Sequence, residues 1–403
     1  MPSSKLLVFS ERFWPDGSGG ELATYLITDI LREEFEIRIV TGSKQSVKLP
    51  SVEYFYEPLF LREEKLLLWL NTMRLTKTER FKKLIRESDV VYVPRQAFPL
   101  IPSAKEMGKN IVVHLHGYIP LSYTATILAP YEEHKHRITR DDVKLVCMKG
   151  PKYCPRVLLL WWLPRLAKKW IMQADKVLCV SRRQAEIILD QIPELEDKME
   201  VVYNPIPPEL LNNEPVKEPN DTPTFLYVGG DSYVKGFQVL LQALNKLGKW
   251  GVKARFIFTN KYSLRNIQIL KKLSEKHRNL EIQVLGRIEY NKLKELHRKT
   301  WALLFPSIWE EPLPYAVVES SILGTIPVAS KVGGVVELLN NTEASNFMFT
   351  CSNIDEFAGK LEELSSLSSS EIIDISCKLR SKLIEKLDLN RVSEQLTKVF
   401  TGI

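Results

Sequence analysis

A chain of 403 residues, 44% hydrophobic and 26% charged, has the composition of a soluble globular protein and is too long for one typical core, so about two domains are expected. No apolar run reaches the roughly 20 residues needed to cross a bilayer, and the start MPSSKLLVFSERF lacks a signal-peptide core, which excludes a membrane-spanning helix and points to the cytoplasm. The formal net charge is +7, yet Lys135 to Arg183 alone holds 13 Lys and Arg against three Asp, a local +10 that suits an anionic membrane surface or a phosphorylated acceptor; no nucleic-acid-binding motif accompanies it.

The first half opens with a strand at KLLVFS, a loop through ERFWPDGSGG, an apolar-periodic helix at ELATYLITDILREE and a strand at FEIRIVTG, which is a βαβ start. Strand-like runs follow at DVVYVPR, NIVVHLHG, DKVLCVS and MEVVYN, with helical stretches between them. A parallel sheet covered by helices on both faces accounts for that alternation. From Arg156 to Trp170, RVLLLWWLPRLAKKW joins a continuous apolar run to flanking Arg and Lys and holds three tryptophans. It fits a packed core helix, the stronger reading, or a segment lying in a membrane interface. Cys147 and Cys154, with His134 and His136 nearby, lack a diagnostic metal-site spacing and read as incidental. Five scattered cysteines fit reduced thiols.

Pro205 to Pro223 carries six prolines in 19 residues and reads as an interdomain linker after a first domain over residues 1–204. The pattern then restarts as a second α/β domain, residues 224–382: strand FLYVGG, helix GFQVLLQALNKL, strand KARFIFTN, helix SLRNIQILKKLSEKH, strand LEIQVLG, helix YNKLKELHRK and strand WALLFPS.

The segment WEEPLPYAVVESSILGTIPVAS, Trp309 to Ser330, is the most informative part of the chain. Pro312 and Pro314 stand where a helix begins and Gly324 where it stops, so Glu311 lies in a loop and Glu319 about two turns into the helix. The unpaired N–H groups and partial positive charge of a helix N-terminus suit a phosphate, and a carboxylate beside them can accept paired ribose hydroxyls. Ligands of open parallel sheets bind beyond the carboxyl ends of the strands. Three further loops stand there: Gly17, Ser18, Gly19, Gly20 and Glu21; His116 and Gly117 of HLHGY; and YVGGDSYVKG. By strand alternation His114 is expected on the side opposite His116 or in the strand interior.

Glu-x7-Glu, followed by Pro327, Val328, Ala329, Ser330, Gly333, Gly334 and Glu337 in order, is similar to the donor site of family 4 glycosyltransferases (glycosyl transferases group 1). The resemblance covers nearly the whole chain. It implies an α/β GT-B fold, two Rossmann-like domains facing each other across a cleft, with residues 383–403 crossing back to the first domain. It also implies a retaining, metal-independent transferase of hexosyltransferase type that uses a nucleotide-diphosphate sugar as co-substrate and no other cofactor, acting on a saccharide or lipid-linked acceptor.

Carried over residue by residue, Glu311 contacts the donor sugar near the reacting centre, Glu319 the ribose and His116 the transferred sugar. Lys235 neutralises the diphosphate, Gly229 belongs to the same loop, and Gly19 and Gly20 let the backbone approach the donor phosphates. Two departures stand out. Gly230 occupies the family's arginine position, with Arg287 as one substitute, and Leu313 and Pro314 replace FG, leaving amides such as those of Leu313 and Tyr315 to cradle the phosphate. A degenerate GT-B protein that binds a nucleotide or partner without turnover is the alternative, and an epimerase or phosphorylase is a third reading within the fold.

Overall fold

The run Leu6 to Phe9 has no polar residue on either side of the strand, which suits a central parallel strand buried on both faces, and all four side chains are buried. In the computed structural model, which describes all residues except 1–3, 45–46, 63, 212–216 and the side chain of Pro151, this strand is β1 (Ser4–Ser10) of a seven-stranded sheet. The other strands are β2 (Phe35–Thr41), β3 (Val52–Tyr56), β4 (Val90–Val93), β5 (Asn110–Leu115), β6 (Lys176–Cys179) and β7 (Met199–Val201). The order is β3-β2-β1-β4-β5-β6-β7, parallel throughout.

Helix α1 (Gly19–Leu31) follows β1. Its first turn is closed by Glu21, whose Oε2 accepts from the Ser18 N–H at 2.7 Å. The helices of this unit also include α2 (Lys65–Leu75), α3 (Ile138–Met148), α4 (Cys154–Leu160) and α5 (Leu163–Ile171). The terminal helix, Leu389–Thr401, packs on this sheet. Its Val392, Leu396 and Phe400 join a core with Leu6, Ile37 and Tyr92, and the Phe400 ring meets Phe35 and Tyr92 edge-on.

The second sheet is built in the same way from β8 (Thr224–Tyr227), β9 (Ala254–Thr259), β10 (Leu280–Gly286), β11 (Ala302–Phe305), β12 (Ile326–Ser330) and β13 (Met348–Phe349), in the order β10-β9-β8-β11-β12-β13 and again all parallel. Its flanking helices include α6 (Phe237–Trp250), α7 (Leu264–Lys276), α8 (Tyr290–Lys299) and α9 (Tyr315–Ile322). In both sheets the strand order reverses beside the first strand, which is where doubly wound sheets open a ligand crevice.

The chain divides into two compact units, residues 1–127, 134–205 and 388–403, and residues 128–133 and 206–387. Two features refine the linear reading. Leu128–Glu133, in sequence part of the first half, belongs to the second unit, where Leu128 bridges Trp309 in antiparallel fashion. The proline-rich segment is also attached: Lys217 is buried and donates to the carbonyls of His297 and Thr300 at the end of α8, and the Glu218 N–H to Arg298 O at 3.0 Å. Residues 212–216 of that proposed linker lie outside the described residues.

Two expectations are overturned. Cys147 and Cys154 are joined in a disulfide between the end of α3 and the start of α4, so they are not reduced thiols. Nor is the Arg156–Trp170 run simply a core helix: Val157, Leu163, Ala167 and Ile171 are buried, but Leu158, Leu159, Trp161 and Trp162 are exposed.

Candidate functional site

In the second unit, Glu311 follows β11 in the loop before α9, and its buried carboxylate is held from two sides. Lys235 Nζ lies 2.6 Å from Glu311 Oε1, and Ser307 Oγ donates to the same oxygen at 2.8 Å. The lysine comes from the loop between β8 and α6, which Gly236 lets pass close to β11. At φ +74° a Cβ on Gly236 would sit 1.6 Å from Pro306 O, so only glycine fits.

The paired glycines of the motif brace Glu311 from behind. The Gly334 N–H donates to Glu311 O at 2.8 Å, and a Cβ on Gly333 would lie 2.0 Å from that oxygen. The neighbouring Glu310 accepts from the Gly333 N–H at 2.7 Å and the Tyr131 N–H at 2.8 Å, which fastens the Leu128–Glu133 strap to this loop. A charged carboxylate and a charged ammonium are thus set in place by backbone geometry before any ligand arrives.

Helix α9 starts at Tyr315, just after Pro314, and ends before Gly324 at φ +76°. Glu319 is its fifth residue, so it stands a little over one turn in rather than two. Leu313 and Tyr315 flank the helix start and both are buried. Loss of water around the Glu319 carboxyl pushes it up to about 7, against the pull of Lys294 on α8.

Gly229 packs on Tyr227, where a Cβ would meet the phenol oxygen at 2.5 Å, and Gly230 is left-handed at φ +65° with Lys261 O 3.1 Å from its Cβ position. No arginine fits at Gly230 without moving that turn. Lys261 follows β9, the strand next to β8, and its carbonyl is the group that faces Gly230. Its turn is pinned throughout. The Lys261 N–H donates to Asn260 Oδ1 at 2.8 Å, the Asn260 N–H to Gly286 O at 2.8 Å and the Ser263 N–H to Asp231 Oδ2 at 2.7 Å, while the Tyr262 ring packs on Phe237 and Phe258. Lys261 is exposed and makes no ion pair among the described residues. Arg287 is also exposed, but it follows β10, one strand further from β8.

In the first unit, Gly19, Gly20 and His116 come to the same end of the sheet, as do two residues the sequence reading passed over: Glu11 after β1 and Arg95 after β4. Arg95 Nη2 pairs with Glu21 Oε1 at 2.8 Å. A Cβ on Gly20 would lie 2.2 Å from Arg95 Nη1, and one on Gly17 would lie 2.3 Å from Glu21 Cδ. These two glycines therefore make room for Glu21 and Arg95, a role the motif alone did not disclose.

His114 is buried inside β5, the second of the two expected placements, and its ring lies 4.3 Å from that of His116 on the same side, which rules out the first: with period two, residues two apart share a face. His114 shares a 2.9 Å hydrogen bond with Tyr92. Burial, then His114 and Arg95, holds His116 well below the usual imidazole range, so it is neutral, and its Nε2 has no partner among the described residues. Burial likewise pushes Glu11 up to about 7 despite Arg95, while its Oε1 accepts from the Gln96 N–H at 2.8 Å. Adjacent strand ends are where both Glu11 and Arg95 could have been sought.

Two doubly wound parallel sheets, the second with an ion pair in the loop before a helix N-terminus, match the architecture of the GT-B fold. Residues 211–386 match the model of glycosyl transferases group 1, and residues 18–210 that of glycosyltransferase family 4; the chain belongs to that family. It is 25% identical over 182 residues to the uncharacterized glycosyltransferase MJ1607 of Methanocaldococcus jannaschii, a match spanning 42% of this chain and 45% of that protein.

Solved structures with the same fold include Anabaena Alr3699/HepE in complex with UDP and glucose (17% identity, TM-score 0.68, 99% of this chain and 100% of that one). An Escherichia coli trehalose-6-phosphate structure bound with UDP-2-fluoro glucose is similar too (14%, 0.69, 99% of each), as is a glycosyltransferase from Rickettsia africae (18%, 0.68, 99% and 98%). Among the described residues no cluster of His, Cys, Asp and Glu could hold a metal ion, and no helix is long and apolar enough to cross a membrane.

Proposed function

We propose that the protein is a retaining, hexosyltransferase-type enzyme that moves a sugar from a nucleotide-diphosphate sugar to a saccharide or lipid-linked acceptor, in the cytoplasm and in peripheral contact with the membrane. The contact of Lys235 with Glu311 beside the N-terminus of α9 carries this reading. An incoming diphosphate meets the Lys235 ammonium and the first amides of α9, around Leu313 and Tyr315, which stabilise the leaving group as the glycosidic bond lengthens. Glu311, anchored by Ser307, faces the sugar, Glu319 accepts the ribose hydroxyls, and neutral His116 hydrogen-bonds a sugar hydroxyl. This fixed charge does the work for which a divalent cation would otherwise serve, so activity should persist in EDTA.

Lys261 supplies the second cation in place of the arginine that Gly230 lacks. A charge-assisted hydrogen bond contributes about 1.5–3 kcal/mol, so without a substitute donor binding would weaken roughly ten- to hundredfold. If Gly230 instead marks a degenerate protein, nucleotide will bind without turnover. The deciding experiment incubates the protein with UDP-, GDP-, ADP- and TDP-sugars, with and without glycan and lipid-linked acceptors. Free nucleotide released only with acceptor, and not by Glu311→Ala, supports transfer; binding with no release under any pairing supports the degenerate reading.

A further inference from the structure

The amphipathic rule fails on α4: of its seven residues only Val157 is buried, and Leu158 and Leu159 point to solvent. Leu158 is 61% exposed, Leu159 71%, Trp161 45% and Trp162 38%. Scattered exposed apolar residues need no explanation, but four within five positions do. They sit inside a stretch, Val143 to Ala174, that holds seven Lys and Arg and no Asp or Glu. Lys149, Lys152, Arg156, Arg165 and Lys169 are exposed around them.

We infer that this surface docks on an anionic lipid bilayer, with Leu158 and Leu159 entering the acyl boundary, the two tryptophans at headgroup depth and the cations on lipid phosphates. The side chains are already arranged for this. The Arg165 guanidinium lies 4.2 Å over the Trp161 ring, and Trp162 Nε1 donates to Leu159 O at 2.8 Å, which fixes both indoles beside the leucines. The Cys147–Cys154 disulfide ties the start of α4 to the end of α3.

Arg156 pairs with Glu64 at 2.9 Å, at the start of α2, whose Leu67 and Leu70 are exposed as well. A second copy of the chain would bring the same positive field against itself, and nucleic acid offers nothing for Leu158 and Leu159 to enter. An anionic bilayer matches both the apolar and the basic parts. This docking is the membrane contact named in the proposed function, with the bilayer as the source of a lipid-linked acceptor, but it does not depend on sugar transfer.

The test is flotation of the full chain with vesicles of phosphatidylcholine alone and of phosphatidylcholine containing about a third phosphatidylglycerol. Binding to the anionic vesicles is expected, at least about tenfold stronger than to neutral ones and falling as salt rises. Leu158→Ser/Leu159→Ser should reduce it about tenfold or more, and Lys149→Glu/Lys152→Glu should reduce it on anionic vesicles alone. Circular dichroism and an unchanged melting midpoint exclude unfolding, since these side chains are exposed. Wild-type protein left unbound by anionic vesicles, or equal binding by the serine variant, overturns the inference. So does light scattering that finds a wild-type dimer and a monomeric serine variant. Because no sugar donor enters the assay, its outcome is separate from that of the transfer experiment.

Discussion

The two strand-end clusters place their charge differently. In the second unit Lys235, Glu311 and Ser307 form a charged, hydrogen-bonded group whose partners are in place without a ligand. In the first unit charge is confined to the Arg95–Glu21 pair, and burial keeps the groups beside it uncharged: His116 is held neutral, and Glu11 keeps its proton up to about 7 even with Arg95 near. The difference fits the roles proposed above, a diphosphate at the cluster of the second unit and uncharged hydroxyls at that of the first. A preorganised charge costs no rearrangement when negative charge develops, whereas a neutral imidazole can bind a hydroxyl without holding a counter-ion.

The largest expected effect breaks the charged cluster. Glu311→Ala should lower kcat by about 10²- to 10³-fold with a modest change in donor KM, as steady-state kinetics would show. Unchanged turnover would remove Glu311 from the reacting centre. Next comes the missing arginine. Lys261→Ala should weaken donor binding about tenfold or more by calorimetry, while Arg287→Ala, one strand further out, should change it by less than about threefold. The reverse ranking would return the second cation to Arg287.

The neutral cluster is sharpened by pH. The Glu11 carboxyl sits at about 7 in the folded chain against an ordinary 4.5. Below 4.5 both states are protonated and nothing is lost; between 4.5 and 7 the unfolded chain releases its proton first, so stability falls as pH rises. The loss approaches about 3 kcal/mol. Urea midpoints against pH should flatten over this window in Glu11→Gln. A smaller effect lies in the donor site. Glu319 is also raised to about 7, so the carboxylate proposed to accept the ribose hydroxyls is protonated as pH falls through 7 and donor KM should rise there. Glu319→Gln should lose that inflection.

Much of the architecture was readable because buried parallel strands are continuous apolar runs and their helices repeat at 3.6 residues. VEYFY at β3 escaped notice because an edge strand is only partly buried and lacks such a run. The site was legible where its geometry is local: Pro314 precedes α9 and Gly324 ends it. It was opaque where partners meet across distant sequence. Ser307 under Glu311, Glu310 between Gly333 and Tyr131, and Arg95 in the space beside Gly20 follow from which strand ends are neighbours, and residue type alone does not reveal this. The exposed faces of Leu158 and Trp161 were likewise undecidable from hydrophobicity, since core and membrane surface call for the same residues.

The central claim, a donor site preset by Lys235, Glu311 and Glu319, is tested most directly by thermal shift of the purified protein against UDP-, GDP-, ADP- and TDP-sugars. A ligand at 100 times its dissociation constant stabilises by about 2.7 kcal/mol. One nucleotide-sugar should raise the melting midpoint selectively, with the shift lost in Glu319→Ala; no shift with any nucleotide-sugar, or an equal shift in that variant, would contradict it.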